Sequence, residues 1–196
     1  MKSRNLVLLI IVAAVLLLGG CGCSGYNNMV NLDENVKTKW ANVQSDYQRR
    51  ADLIPNLVNT VKGAANFEQE TLTKVIEARA KATSVNINAG DLNPETMAQF
   101  QQAQGELSGA LSRLLVSVER YPELKANQNF LDLQKQLEGT ENRIKVSRND
   151  FNTAVQGYNQ VVRRFPNNLF AGMFGFAQRQ AFQADAGAER APQVNF

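Results

Sequence analysis

Histidine is absent from the 196 residues. That one absence removes Ser-His-Asp and Cys-His catalysis and every imidazole metal site. Cysteine is nearly as scarce: the two present, Cys21 and Cys23, stand at the end of an N-terminal leader, so the body carries no thiol. A C-x-C pair offers a strained disulfide at most, and four-ligand zinc chemistry has nothing to draw on. No metal and no cofactor is therefore expected. Strand signals are missing too, with neither an Asn-Gly turn nor an alternating run of Val, Ile and Thr. Clustered positive charge is lacking as well. The net charge of +3 includes Lys2 and Arg4, and a body without the first twenty residues loses those two positives and no acid, which leaves +1. A body so close to neutral is not built to hold nucleic acid.

What is present begins with the leader, residues 1–20. Lys2 and Arg4 precede thirteen unbroken apolar residues, Leu6 to Leu18. Thirteen suits a signal-peptide core and is short for a bilayer span, which takes about 20. Leu18-Gly19-Gly20-Cys21 then resembles a bacterial lipobox, with Cys21 as the lipid-attachment residue. An uncleaved single-pass span is the alternative, since no charge appears from Asn5 to Leu32; free secretion is the third reading. Lipidation and an uncleaved span both tether the body to a membrane, on the side away from the cytoplasm.

The body, residues 26–165, reads as helix throughout. Asn31-Leu32-Asp33-Glu34 has capping-box spacing and predicts a helix start. Val36, Trp40, Val43, Tyr47, Ile54, Leu57 and Val61 then recur at alternating steps of four and three, the seam of a helix in a bundle. The one slot missed is position 50, where Arg50 stands, and Pro55 falls inside the same helix. Gly63 predicts a break, Asn66 a new cap, and Leu72, Val75 and Arg79 share the next helical face. After a polar loop over 84–93, Asn93-Pro94-Glu95 predicts a third start, with Asn at the cap and Pro at the first position. Met97, Phe100, Leu107, Leu111, Leu114 and Val118 keep the rhythm, interrupted at Gln104.

A fourth helix is expected to begin between Pro122 and Asn129 and to run to Arg164. Phe130, Leu133, Leu137, Ile144, Phe151, Tyr158, Val161 and Phe165 hold its heptad register, with the small residues Thr140, Ser147 and Ala154 in the alternate slots. The expected fold is all-α: an antiparallel up-down-up-down four-helix bundle behind an N-terminal membrane anchor. Three long helices, with 28–84 as one helix kinked at Pro55, are the alternative.

Charge on or beside the seam is the unusual feature of this body. Arg50, Glu77, Arg79, Glu119, Glu141 and Arg148 are expected to form a buried ionic network, because an unpaired buried charge costs several kcal/mol. A di-metal carboxylate site would need Glu-x-x-His pairs, which this chain cannot supply. Glu119 and Glu141 fail as a glycosidase pair, because a bundle offers no cleft for a sugar chain and the nearby arginines keep both ionised. No enzyme is expected.

The tail, 166–196, is Phe-rich: six of the ten phenylalanines follow position 164. In a four-helix antiparallel bundle its first part returns to the tethered end. Phe170, Phe174 and Phe176 are therefore membrane-interface candidates, and a cap over the bundle core is the plainer expectation.

The motifs fall in a distinctive order: Tyr26-Asn27, Trp40, Gln48-Arg49-Arg50-Ala51-Asp52-Leu53-Ile54-Pro55-Asn56-Leu57-Val58, Glu77-Ala78-Arg79, Glu119-Arg120-Tyr121-Pro122-Glu123-Leu124, Glu141-Asn142-Arg143-Ile144, Tyr158-Asn159, Phe165-Pro166 and the closing Pro192-Gln193-Val194-Asn195-Phe196. This order resembles the LemA family, a bacterial membrane-associated helical family, over residues 26–196. The resemblance implies a membrane segment followed by a helical bundle, and it implies no reaction. Leu-Gly-Gly-Cys departs from the plain span common in the family. The expected function is that of a non-catalytic, membrane-tethered module that contacts another protein of the envelope. A bundle holding a small or lipid-like ligand near the Phe-rich segment is the alternative.

Overall fold

The computed structural model describes residues 2–63 and 67–183, and the backbone alone for residues 2–4, 6–8 and 10–21. The described residues contain six helices and no strand: α1 (Lys2–Lys62), α2 (Gln69–Ser84), α3 (Pro94–Val118), α4 (Pro122–Lys125), α5 (Gln128–Arg163) and α6 (Asn167–Phe174). The all-α expectation holds.

Two expectations about α1 need correction. No helix starts at Asn31. The helix runs through it from Lys2, because the residues before Asn31 already supply carbonyls to the amide groups that a cap would serve. There Asp33 and Glu34 pair instead with Lys37, one turn on. The three-helix alternative is also overturned. Helix α1 ends at Lys62 with Gly63 bonded back to the Asn59 carbonyl, and α2 begins afresh after an extended Glu68. Phe67 anchors the break by meeting the Tyr121 ring at 4.9 Å. Asn66, the expected cap, lies outside the described residues.

The start of α3 is as expected. Pro94 occupies its first turn, and the Asn93 side chain accepts from the Thr96 amide at 3.0 Å. Asn127 caps α5 in the same way, accepting from the amides of Asn129 and Phe130. The loop before α3 is less polar than expected, since Ile87 and Leu92 are both buried.

The chain forms two compact units, Met1–Tyr47 with Asn142–Arg179, and Gln48–Glu141 with Gln180–Phe196. In the second, Ile54, Leu57 and Val61 of α1 join Leu72 and Val75 of α2, Leu107, Leu111 and Leu114 of α3, and Phe130 and Leu137 of α5 in one core. Helices α2 and α3 run antiparallel, as Lys81 pairs with Glu106 and Arg120 with Glu68. In the first, Met29, Val36, Trp40 and Val43 of α1 and Ile144, Phe151 and Tyr158 of α5 are buried, with the Trp40 and Phe151 rings 5.3 Å apart. Ser147 and Ala154, the small seam residues there, are buried as well. The last fully buried slot of the heptad register is Tyr158, since Val161 is half-buried and Phe165 is 76% exposed. Among the described residues, no helix is long and apolar enough to cross a membrane; the leader's side chains lie outside that description.

Candidate functional site: a buried arginine and its partners

Position 50 breaks the apolar rhythm of α1, and position 104 breaks that of α3. The fold of the second unit brings the two breaks together. Arg50 is 2% exposed. One guanidinium nitrogen donates to the Gln104 side-chain oxygen at 2.7 Å, and the other to the Ser108 hydroxyl at 2.9 Å and to Glu141 at 3.0 Å. Gln104 is itself buried, and its amide nitrogen donates to the Ala82 carbonyl at 3.3 Å. That carbonyl lies in the last turn of α2, where helix geometry leaves acceptors without intrahelical donors. Arg50 and Gln104 thus link α1, α2, α3 and α5. The carboxylate end of the link is wet, since the Glu141 side chain is 59% exposed while that of Arg50 is 3%.

Pro55 has no N–H, so the carbonyl four residues back, Ala51, lacks its helical donor. Arg79 of α2 supplies one: its Nε donates to the Ala51 oxygen at 2.8 Å. A proline inside α1 and an arginine on the seam of α2 are therefore two halves of one contact.

The remaining charged candidates fall elsewhere. Glu77 is exposed and borders an open groove between α2 and α3 with Lys74, Lys81 and Arg113. Glu119 is exposed and pairs with Lys125. Of the six residues expected in a buried ionic network, Arg50 and Glu141 meet, and the neutral Gln104 and Ser108 join them. Arg148 is half-buried in the first unit. The side chain of Cys21 lies outside the described residues, and Cys23 is a free, exposed thiol. No group of three or more His, Cys, Asp or Glu stands where it could hold a metal ion among the described residues.

The first unit holds a cluster that the periodicity did not mark. After α6, Gly175 turns the chain with φ 77°, a left-handed value that a glycine adopts without penalty. The following strap is tied to α5 and α1. The Tyr158 hydroxyl donates to the Ala177 carbonyl at 2.9 Å, and the Asn159 side chain both accepts from and donates to the Arg179 backbone. The Arg179 guanidinium reaches Asp33 at 3.0 Å and lies 5.9 Å from the centre of the Tyr158 ring. Burial pushes the Tyr158 phenol above its ordinary value, the Asp33 carboxylate adds to that, and Arg179 and Lys37 oppose it. Asp33 and Tyr158-Asn159 were legible as residues. Their meeting depends on where the strap returns, which no local pattern states.

Phe170 and Phe176 are half-buried and Phe174 is 54% exposed. Tyr26 meets the Phe174 and Phe176 rings edge-on at 5.0 and 5.6 Å. A second open groove, about 460 Å³, runs between α1 and α5. Its lining includes Lys39 and Asp150, which pair at 2.8 Å, and the exposed Val146.

These features define a class: an all-helical bundle whose seam carries polar side chains matched across helices. The chain belongs to the LemA family, whose model matches residues 39–196. It is similar to two proteins of Paramagnetospirillum magneticum, the magnetosome proteins MamQ 1 and MamQ 2. Each is 26% identical over 175 residues, which cover 81% of this chain and 64% of the relative. The chain thus spans just under two thirds of the length of those curated relatives. It is also similar to the protein LemA of Metamycoplasma hominis, 24% identical over 161 residues that cover 82% of this chain and 70% of that one.

Proposed function

We propose that this chain is a non-catalytic helical bundle of the bacterial envelope, with α1, α2, α3 and α5 in up-down-up-down order. It is tethered at its N-terminus, faces away from the cytoplasm and acts by contacting another protein. The observation that carries the reading is the groove between α1 and α5. There Val146 is 61% exposed between side chains of both charge signs, Lys39 and Arg143 against Asp46 and Asp150. An open, mostly polar groove with charges of both signs around one exposed apolar side chain suits a docked polypeptide segment.

The tether reading is supported by α1 itself. The helix carries the apolar leader at one end and bundle core at the other without interruption. Lipidation of Cys21 and an uncleaved span both remain proposals on that helix. The ligand-binding alternative has less behind it, because α6 closes on α1 at Gly22 and Gly25, where such a ligand would need room.

A photo-crosslinking residue at Val146 tests the partner reading in the native membrane. It is expected to give a discrete protein adduct that the same probe at exposed Ile76, on α2, does not. Equal labelling at both sites, or none above a control lipoprotein, removes the reading.

A further inference from the structure

Helix α6 has two unlike sides. On one, Ala171 is buried, the Phe170 ring lies against Gly22, and the Asn167 side chain lies against Gly25. A Cβ at Gly22 would come within 3.3 Å of that ring, and one at Gly25 within 2.6 Å of the Asn167 oxygen. Glycine is what lets α6 come this close to α1. On the other side, Leu169 and Met173, one turn apart, are 59% and 77% exposed, and Phe165, in the turn just before the helix, is 76% exposed. With Phe174 they put four large apolar side chains in water within ten residues. Scattered apolar residues on a surface are ordinary; a contiguous group marks an interaction site.

Two further observations say what covers this face. Gly22 stands four residues after Leu18, the last of the leader's apolar run, and the helix between them is unbroken. At about 1.5 Å per residue that is a rise of about 6 Å. Helix α6 is therefore fastened to α1 at the level where the apolar run ends. Charge agrees: Arg163 and Arg164 are exposed just before α6, and no Asp or Glu occurs between Asp150 and Asp185. An apolar helical face next to arginines and free of acids suits an anionic lipid surface.

We propose that the Leu169–Met173 face of α6, with Phe165 in the turn before it, is a foot that lies in the lipid–water interface of the membrane holding the leader. The proposal rests on the reading that the leader enters a bilayer. The foot would fix the tilt of α1 at its exit, where a single anchoring helix alone would leave the body free to swing.

The full-length chain reconstituted in vesicles of phosphatidylcholine and phosphatidylglycerol, with and without brominated acyl chains, tests this. The natural protein has one tryptophan, buried Trp40, as a constant background. Met173→Trp, and Leu169→Trp as a second variant, are each expected to add emission that brominated lipid quenches for the most part. Val116→Trp, at an exposed position on α3, is expected to add emission that survives. Equal survival at all three positions in a chain that floats with the vesicles overturns the foot and leaves the tether standing. A chain that does not float overturns the tether and the foot together. Blue-shifted emission at Met173→Trp that deepens with protein concentration and ignores brominated lipid assigns the face to a second copy of the chain, and overturns the proposal.

Discussion

Arg50 meets an exposed carboxylate, that of Glu141, and neutral acceptors on Gln104 and Ser108, of which Gln104 is buried. The two kinds of partner should therefore behave differently on removal. Arg50→Met leaves the buried Gln104 oxygen without its donor and is expected to cost about 2–3 kcal/mol in urea unfolding. Glu141→Gln, at an exposed acid, is expected to cost under about 1 kcal/mol. Adding Gln104→Leu to Arg50→Met should cost less than the two changes summed, because each removes the other's unmet group. Strict additivity would show that the buried contact carries no coupling. Arg79 and Pro55 form a second pair. Arg79→Met is expected to destabilise by about 1–2 kcal/mol, and by less in a Pro55→Ala background, where a restored backbone N–H serves the Ala51 carbonyl. An undiminished effect in that background would break the link between the two residues. Both oddities were visible in the sequence as an arginine and a glutamine in apolar slots and a proline in a helix. Their partners were not, because which residues of α2 and α3 face position 50 depends on helix register.

Among the elements, α6 and the strap after it differ from the long helices. Eight residues do not sustain a helix in water, so α6 depends on its contacts with α1. Those contacts, and the ties from Tyr158, Asn159 and Asp33, hold a segment that reads locally as an apolar tail. Tyr158 makes this testable by pH. Its phenol ionises higher in the folded chain than in the unfolded one, chiefly through burial. Its neutral form is therefore the one the fold favours. That stability is fully present below the unfolded phenol value of about 10 and is lost as pH rises through the raised folded value. Absorbance titration near 295 nm is expected to show a late-ionising component that Tyr158→Phe abolishes. A high-pH limb that Tyr158→Phe leaves unchanged removes the claim. The long helices were legible because their four-and-three spacing survives folding. The start at Asn31 misled because a capping box states only that a helix may begin there, and an upstream helix overrides it.

For the whole molecule, one helix that is both leader and bundle element makes the anchor question structural. Lipidation at Cys21 would begin the mature chain one residue before Gly22, so α6 would stand directly beside the lipid. Cys21→Ala is expected to abolish metabolic fatty-acid labelling; equal labelling in both, or none in either, leaves the uncleaved span. By itself the sequence determined the helical class, the family, the apolar leader and the lack of histidine and body thiols, since composition and periodicity are local properties. Tertiary structure alone decided that Gln104 and Ser108 meet Arg50, that Arg79 serves the carbonyl freed by Pro55, and that α6 turns Leu169 and Met173 outward. Each of those depends on which faces meet when helices distant in sequence come together, and that is settled by the packing of all of them at once.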